Sequence, residues 1–316
     1  MESKIDVYGV SDIALELTVE MSRKELKDIG INPGTTKMIG LEERDRILND
    51  SRISKESLEV VGYSYKVLNV LTLLGMRTGL TCKIGMDEFG MICQRELERT
   101  RIDVDFKIGF GCTDSCLKLR TPEDPEVRLK HRGISKSISY QEIDVLKTKS
   151  AKCILIETAL LDTGPRRRAA NFAARIARDN DSKIIFDVNS VEVVLNHKEA
   201  VMEMMALADA IIISSDQAYL LFGENIDKNS IGNIKKDNQF LAVKGNKGFN
   251  IYAKKDSFFV EKIGKRTKYE KEFFTAGITL GIAMGYRARE IGKIASFMSS
   301  KESIDDSILD ELNRLV

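Results

Sequence analysis

Four short runs, Cys153–Ile156, Lys183–Val188, Ala210–Ser214 and Phe240–Val243, are apolar at almost every position, and helix-like stretches separate them. A strand with one face in water alternates polar with apolar residues, whereas a strand apolar at consecutive positions is buried on both faces. Strands of that kind alternating with helices predict a mostly parallel sheet covered by helices on each side. The first half begins the same way. Ile5–Val10 reads as a buried strand, Ala14–Val19 as a second strand, residues 41–58 as charged and helix-like, and Tyr65–Leu74 as an apolar helix closed at Gly75. Thr78–Gly85 follows as a strand and Asp87–Thr100 as an amphipathic helix.

One segment breaks this rhythm. Residues 116–120 and 126–130 alternate polar with apolar around Thr121-Pro122-Glu123-Asp124-Pro125, the pattern of a hairpin with one wet face. With no internal repeat and no low-complexity linker, the 316 residues read as a single α/β domain, 1–316, carrying a small β appendage from strands around 12–20 and 116–131.

Composition narrows the function. Lys and Arg (49) nearly cancel Asp and Glu (48), so no global field favours nucleic acid or an anionic membrane. No apolar run approaches the roughly 20 residues of a membrane span, and the N-terminus lacks the pattern of a cleaved leader. Five scattered cysteines imply reduced thiols, hence an intracellular, reducing and most simply cytoplasmic setting. Cys112 and Cys116 are close, but nothing completes a zinc set, and no metal site is expected. His131 and His197 read as ordinary surface residues. Arg166-Arg167-Arg168 reads as a solvated face of a helix.

The order of segments resembles the ribokinase-like (PfkB) family of sugar and nucleoside kinases, in its adenosine-kinase-like branch. The family pattern Gly-Gly-x-x-x-Asn, Leu-Gly, Gly-Asp-Asp-x-Phe-Gly corresponds to Val61-Gly62-Tyr63-Ser64-Tyr65-Lys66, Leu74-Gly75 and Gly85-Met86-Asp87-Glu88-Phe89-Gly90. Gly9-Val10-Ser11-Asp12 with Glu16, the turn Gly245-Asn246-Lys247-Gly248 and the stretch Phe273–Gly285 extend the likeness over nearly the whole chain. The resemblance implies a three-layer Rossmann-like sheet with a small β lid. It also implies an ancestral ATP-dependent phosphorylation of a nucleoside or sugar hydroxyl.

Phosphoryl transfer needs a base, donors for the charge on the phosphoryl oxygens, and magnesium near the phosphates. The family's Asp-Thr-Thr-Gly-Ala-Gly-Asp supplies the first two from a helix N-terminus. Set against Glu272–Ile278, that motif puts Thr275, Ala276 and Gly277 at the anion hole and Ile278 at the base, leaving Glu272 or Asp216 as substitute carboxylates. The family's Asn-x-x-Glu falls on Ser215-Asp216-Gln217-Ala218, without its carboxylate. On the substrate side stand Asp12, Glu16, Gly62 and Lys66, and on the nucleotide side Lys244, Gly245 and Gly248. Two functional readings follow. The first is a pseudokinase that needs no cofactor and serves a protein partner or larger assembly, with a homodimer through the lid among the expectations. The second is an active nucleoside or sugar kinase of unusual mechanism, using ATP and magnesium. Under the first reading, Tyr63, Tyr65, Phe273, Phe274 and Ile278 are expected to fill the old cleft.

Overall fold

The structure is a computed structural model that describes residues 5–49, 54–223, 239–253, 256–265 and 267–315. In chain order its strands are β1 (Val7–Ser11), β2 (Ala14–Glu20), β3 (Thr36–Met38), β4 (Ser54–Val61), β5 (Thr78–Gly85), β6 (Asp103–Gly109) and β7 (Asp114–Arg120). They continue as β8 (Val127–His131), β9 (Cys153–Glu157), β10 (Lys183–Val188), β11 (Ala210–Ser214), β12 (Phe240–Lys244), β13 (Gly248–Ala253) and β14 (Asp256–Glu261). Nine of these form one sheet in the order β14-β13-β12-β11-β10-β9-β1-β5-β6, parallel from β12 to β6 and antiparallel across β12-β13-β14.

The continuous apolar runs explain the layering. Side chains alternate across a strand, so Cys153, Leu155, Ile185 and Ile212 enter one core while Ile154, Ile156, Ile184 and Ile211 enter another on the opposite face. The first core is closed by helices Tyr63–Leu73, Glu270–Met284 and Ala288–Ser299. The second is closed by Gly164–Asp179 and Lys198–Leu207, with Ala169, Ala170, Ala173, Ala174 and Ala177 of the former buried against the sheet. This is the three-layer α/β/α arrangement expected from the sequence.

The remaining strands form a five-stranded sheet in the order β3-β8-β7-β2-β4. Leu15, Leu17, Val19, Leu117, Leu119, Val127 and Leu129 pack its apolar face onto the first core of the body. The period-two pattern turns Glu16, Cys116, Lys118, Arg128 and Lys130 the other way. Register confirms this: Glu16 lies beside Cys116 and Cys116 beside Lys130, across β2, β7 and β8. The expectation for residues 41–58 needs correction. The charged helix ends at Leu48, and Ser54–Val61, whose Ser57-Leu58-Glu59-Val60 alternates, is an edge strand antiparallel to β2.

The lid and body share one core, so a cavity in the lid is felt throughout. Leu117→Ala is expected to lower stability by about 2–5 kcal/mol, measured as a lower urea midpoint in a single transition. A separate early transition of the lid would contradict the shared core.

Candidate functional site

A cavity of about 370 Å³ lies between the cleft face of the lid and the carboxyl ends of the body strands, where open α/β sheets bind ligands. All four substrate-side residues read from the sequence, Asp12, Glu16, Gly62 and Lys66, line it. Gly62 is required by contact rather than by φ. A Cβ there would lie 2.3 Å from the Asp12 carbonyl oxygen, so only glycine lets the helix Tyr63–Leu73 start against the β1–β2 corner. Glu16 is buried and held by Lys118 at 3.4 Å and Arg128 at 4.0 Å.

Asp12 is fixed by a residue that the sequence reading placed in water. Arg166 is completely buried and donates to Asp12 and, from its other terminal nitrogen, to both oxygens of Asp162 at 2.9 Å. Arg132 also pairs with Asp162. The Arg166–Arg168 run is therefore not a uniform solvated face, because its first member turns inward from the first turn of helix Gly164–Asp179.

Two carboxyl groups missed in the sequence also line the cavity. Glu157, at the end of β9, accepts from the Ser64 hydroxyl at 2.8 Å and from the Asn189 amide at 2.9 Å. Burial first, and the nearby Asp12 second, push its carboxyl up to about 7. Asp114 opens β7 and accepts from the Gly133 and Ser135 backbone and the Ser135 hydroxyl. Burial and then Asp12 raise it to about 6 despite those bonds. The available signal was a carboxylate ending an otherwise apolar strand, Cys-Ile-Leu-Ile-Glu, which a sheet of this type directs toward its crevice.

The helix Glu270–Met284 corrects the register of the catalytic motif. Its first turn contains Glu272, which lines the cavity. Burial, reinforced by Asp187 and opposed by the residue's own N–H and by Lys244, holds the Glu272 carboxyl above its ordinary range. Ile278 lies two turns deeper, fully buried in the body core, and does not line the cavity. Of the stretch Glu272–Ile278, the residue that faces the cavity from the helix's first turn is therefore Glu272 rather than Ile278.

Thr275, Ala276 and Gly277 are likewise interior. The Thr275 hydroxyl donates to the buried Asp187, and a Cβ on Gly277 would lie 2.7 Å from the Ala295 Cα, so this glycine permits two helices to touch. Phe273 and Phe274 are buried in the same core, Phe274 stacked on Phe249 with ring centroids 4.1 Å apart. The expected filling of the cleft is thus not found. Of the five bulky residues only Tyr63 and Tyr65 line the cavity, which stays open. The Tyr63 hydroxyl reaches behind the helix start, donating to Asp187 at 2.5 Å and lying 2.9 Å from the Thr275 hydroxyl.

On the nucleotide side, Gly245 and Gly248 form the β12–β13 turn, closed by a 2.9 Å backbone hydrogen bond, and Lys244 extends to within 3.6 Å of Asp187. None of the three lines the cavity. Asp216 is exposed in the first turn of Ser215–Phe222 and also lies off it. The sequence register places Asn-x-x-Glu on Ser215-Asp216-Gln217-Ala218, whose last residue is fully buried; one residue earlier, Ser214 and Gln217 share the i, i+3 spacing and form a reciprocal capping box. Among the described residues, no cluster of three or more His, Cys, Asp or Glu side chains is placed to hold a metal, and no helix is long and apolar enough to cross a membrane.

A latch joins the lid to this helix start. Glu59 of β4 accepts from the Tyr269 hydroxyl at 2.6 Å and pairs with Lys268 at 3.2 Å and Lys66 at 3.5 Å. The Lys66 ammonium stands 4.1 Å from the centre of the Tyr269 ring. Burial raises the Glu59 carboxyl, but its bonds to Tyr269 and Lys268 outweigh this and hold it low.

Comparison with known proteins gives consistent matches. The model of the pfkB family of carbohydrate kinases matches residues 66–300. A 5-dehydro-2-deoxygluconokinase of Clostridium tetani is 28% identical over 166 residues, 48% of this chain and 48% of that protein. The chain thus spans about half the length of the curated relatives it matches. A probable sugar kinase from Rhizobium etli superposes with a TM-score of 0.84 at 16% identity, covering 99% of both chains. The adenosine kinase from Sinorhizobium meliloti gives 0.81 at 15%, covering 99% of this chain and all of that one.

Two outcomes follow from this geometry. Ile278→Asp places a carboxylate in an apolar core and is expected to cost about 3–5 kcal/mol of stability, seen as a lowered Tm with no gain of activity. For Glu157 the folded value of about 7 exceeds the ordinary carboxyl value, so its contribution to stability is full at low pH and is lost as pH rises through about 7. Chemical denaturation at several pH values should show stability falling from about pH 4.5 to about pH 7 and levelling off above it. Glu157→Gln should flatten that slope; an unchanged slope would contradict the assignment.

Proposed function

This chain belongs to the pfkB carbohydrate kinase family, and we propose that it keeps the family's ligand cleft as a binding site for a small polyhydroxylated molecule while having lost phosphoryl transfer. The observation that carries this reading is the start of helix Glu270–Met284. A phosphate held at a helix N-terminus needs backbone N–H groups that it can approach closely, which is why glycines occupy such sites. Here Tyr269 and Lys271 stand in their place, and the Tyr269 hydroxyl is engaged by Glu59 of the lid.

ATP and magnesium, which the family implies, do not fit these residues. Neither Gln217, whose amide is committed to capping, nor the fully buried Ala218 supplies the carboxylate that would organise the metal. Glu270, in the first turn of helix Glu270–Met284, is ion-paired with Lys262 at 2.7 Å. The ligand side is different in kind. The cavity is open, and Asp12, Glu16 and Glu157 offer acceptors to hydroxyl groups, in keeping with relatives named as sugar and adenosine kinases.

A second reading has one observation in its favour. Glu272 faces the cavity from the helix's first turn with a raised carboxyl, which is the position and the tuning of a general base. One experiment separates the two. Thermal stability and ADP release are followed together while sugars, nucleosides and ATP with magnesium are titrated. A binding protein gains stability from a polyol by mass action and releases no ADP. Turnover that Glu272→Gln abolishes would establish the enzyme, and no stabilisation by any polyol or nucleoside would remove the binding reading.

A further inference from the structure

The cleft face of the lid is electrically graded. The residue beside Glu59 across β4 and β2 is Glu16, the next across β7 is Cys116, and the last, on β8, is Lys130. All but Glu59 line the cavity. The row therefore runs from acid to base over four strands spaced about 4.8 Å apart.

The basic end is the less compensated. Arg128 is held by Glu126 at 2.9 Å, and Arg132 by Asp162. Lys130 is exposed and, among the described residues, forms no ion pair. At the other end, Asp12 and Glu157 stand on the body wall and Glu16 on the lid. These acceptors suit hydroxyl groups, whereas an unpaired ammonium opposite them suits an anion.

We propose that the cleft takes a small polyhydroxylated acid, with its hydroxyls toward Asp12, Glu16 and Glu157 and its anionic group toward Lys130 on β8. This rests on the reading of the cleft as a ligand site and specifies the class of ligand. The anion is a carboxylate or a phosphate ester, either of which meets the same ammonium. A neutral sugar would leave that charge unanswered. A nucleoside would present an uncharged base to it.

Isothermal titration with sodium gluconate, glucose 6-phosphate, glucose and sorbitol tests the proposal on the full chain. At least one of the two anions should bind about tenfold or more tightly than glucose and sorbitol, and which one does identifies the anionic group. Lys130→Ala, at an exposed position that does not disturb the core, should erase that advantage, leaving the anions no tighter than the neutral compounds on the same variant. Glucose or sorbitol binding as tightly as both anions would overturn the acid specificity and leave the ligand-binding reading standing. An anion preference that survives Lys130→Ala would also overturn it. No binding by any of the four overturns the acid specificity. The ligand-binding reading falls with it only if the wider panel of sugars and nucleosides also fails to stabilise the chain.

Discussion

A fully buried guanidinium must be paired, because leaving it uncompensated in the interior costs several kcal/mol. Arg166 meets that condition by reaching Asp12 at the corner between β1 and β2 and Asp162 one turn earlier on its own chain, while Arg132 from the end of β8 completes the group. Three separate parts of the molecule are thereby tied at one point: the body sheet, the lid and the helical layer on the second face. Asp12 and Arg132 belong both to this cluster and to the cavity wall, so the geometry of the ligand site depends on the ion cluster at its edge.

The layered body was legible in the sequence because two periodicities differ plainly. Cys153–Ile156 and Ala210–Ser214 are apolar at consecutive positions, whereas 116–120 and 126–130 alternate. What the sequence concealed depended on register or on tertiary pairing. The Ala276-Gly277 pair imitates the small residues of an anion hole, and only the position of the helix start shows that both are interior and that Glu272 holds the first-turn place. Arg166 looks like its two neighbours in a run of three, and its partner Asp162, four residues earlier, was the one local sign of an inward turn. Glu157 ends an apolar strand and Asp114 begins an alternating one, and nothing local shows that both reach the same cavity.

The helix start and the lid edge meet in a direct contact. Tyr269 carries a ring and a hydroxyl to Glu59, and Lys66 and Lys268 bracket the same carboxylate. Each ion pair is partly exposed and weak alone. Together with the cation–π contact they give the lid a defined seat on the body.

The pairing of β2 with β7 has a kinetic consequence. Glu16 lies beside Cys116, about a hundred residues further along the chain, while the strand following β2 in the fold's edge, β4, is much nearer in sequence. During synthesis the β2–β4 hairpin-like pair can assemble well before its third strand has emerged, leaving an apolar row of Leu15, Leu17 and Val19 without its eventual neighbours. Pairings of such long sequence separation form slowly because loop closure precedes their reward. The apolar row of β2 is therefore completed only once β7 has been made, and the lid sheet is the part of this fold whose assembly depends most on contacts distant in sequence.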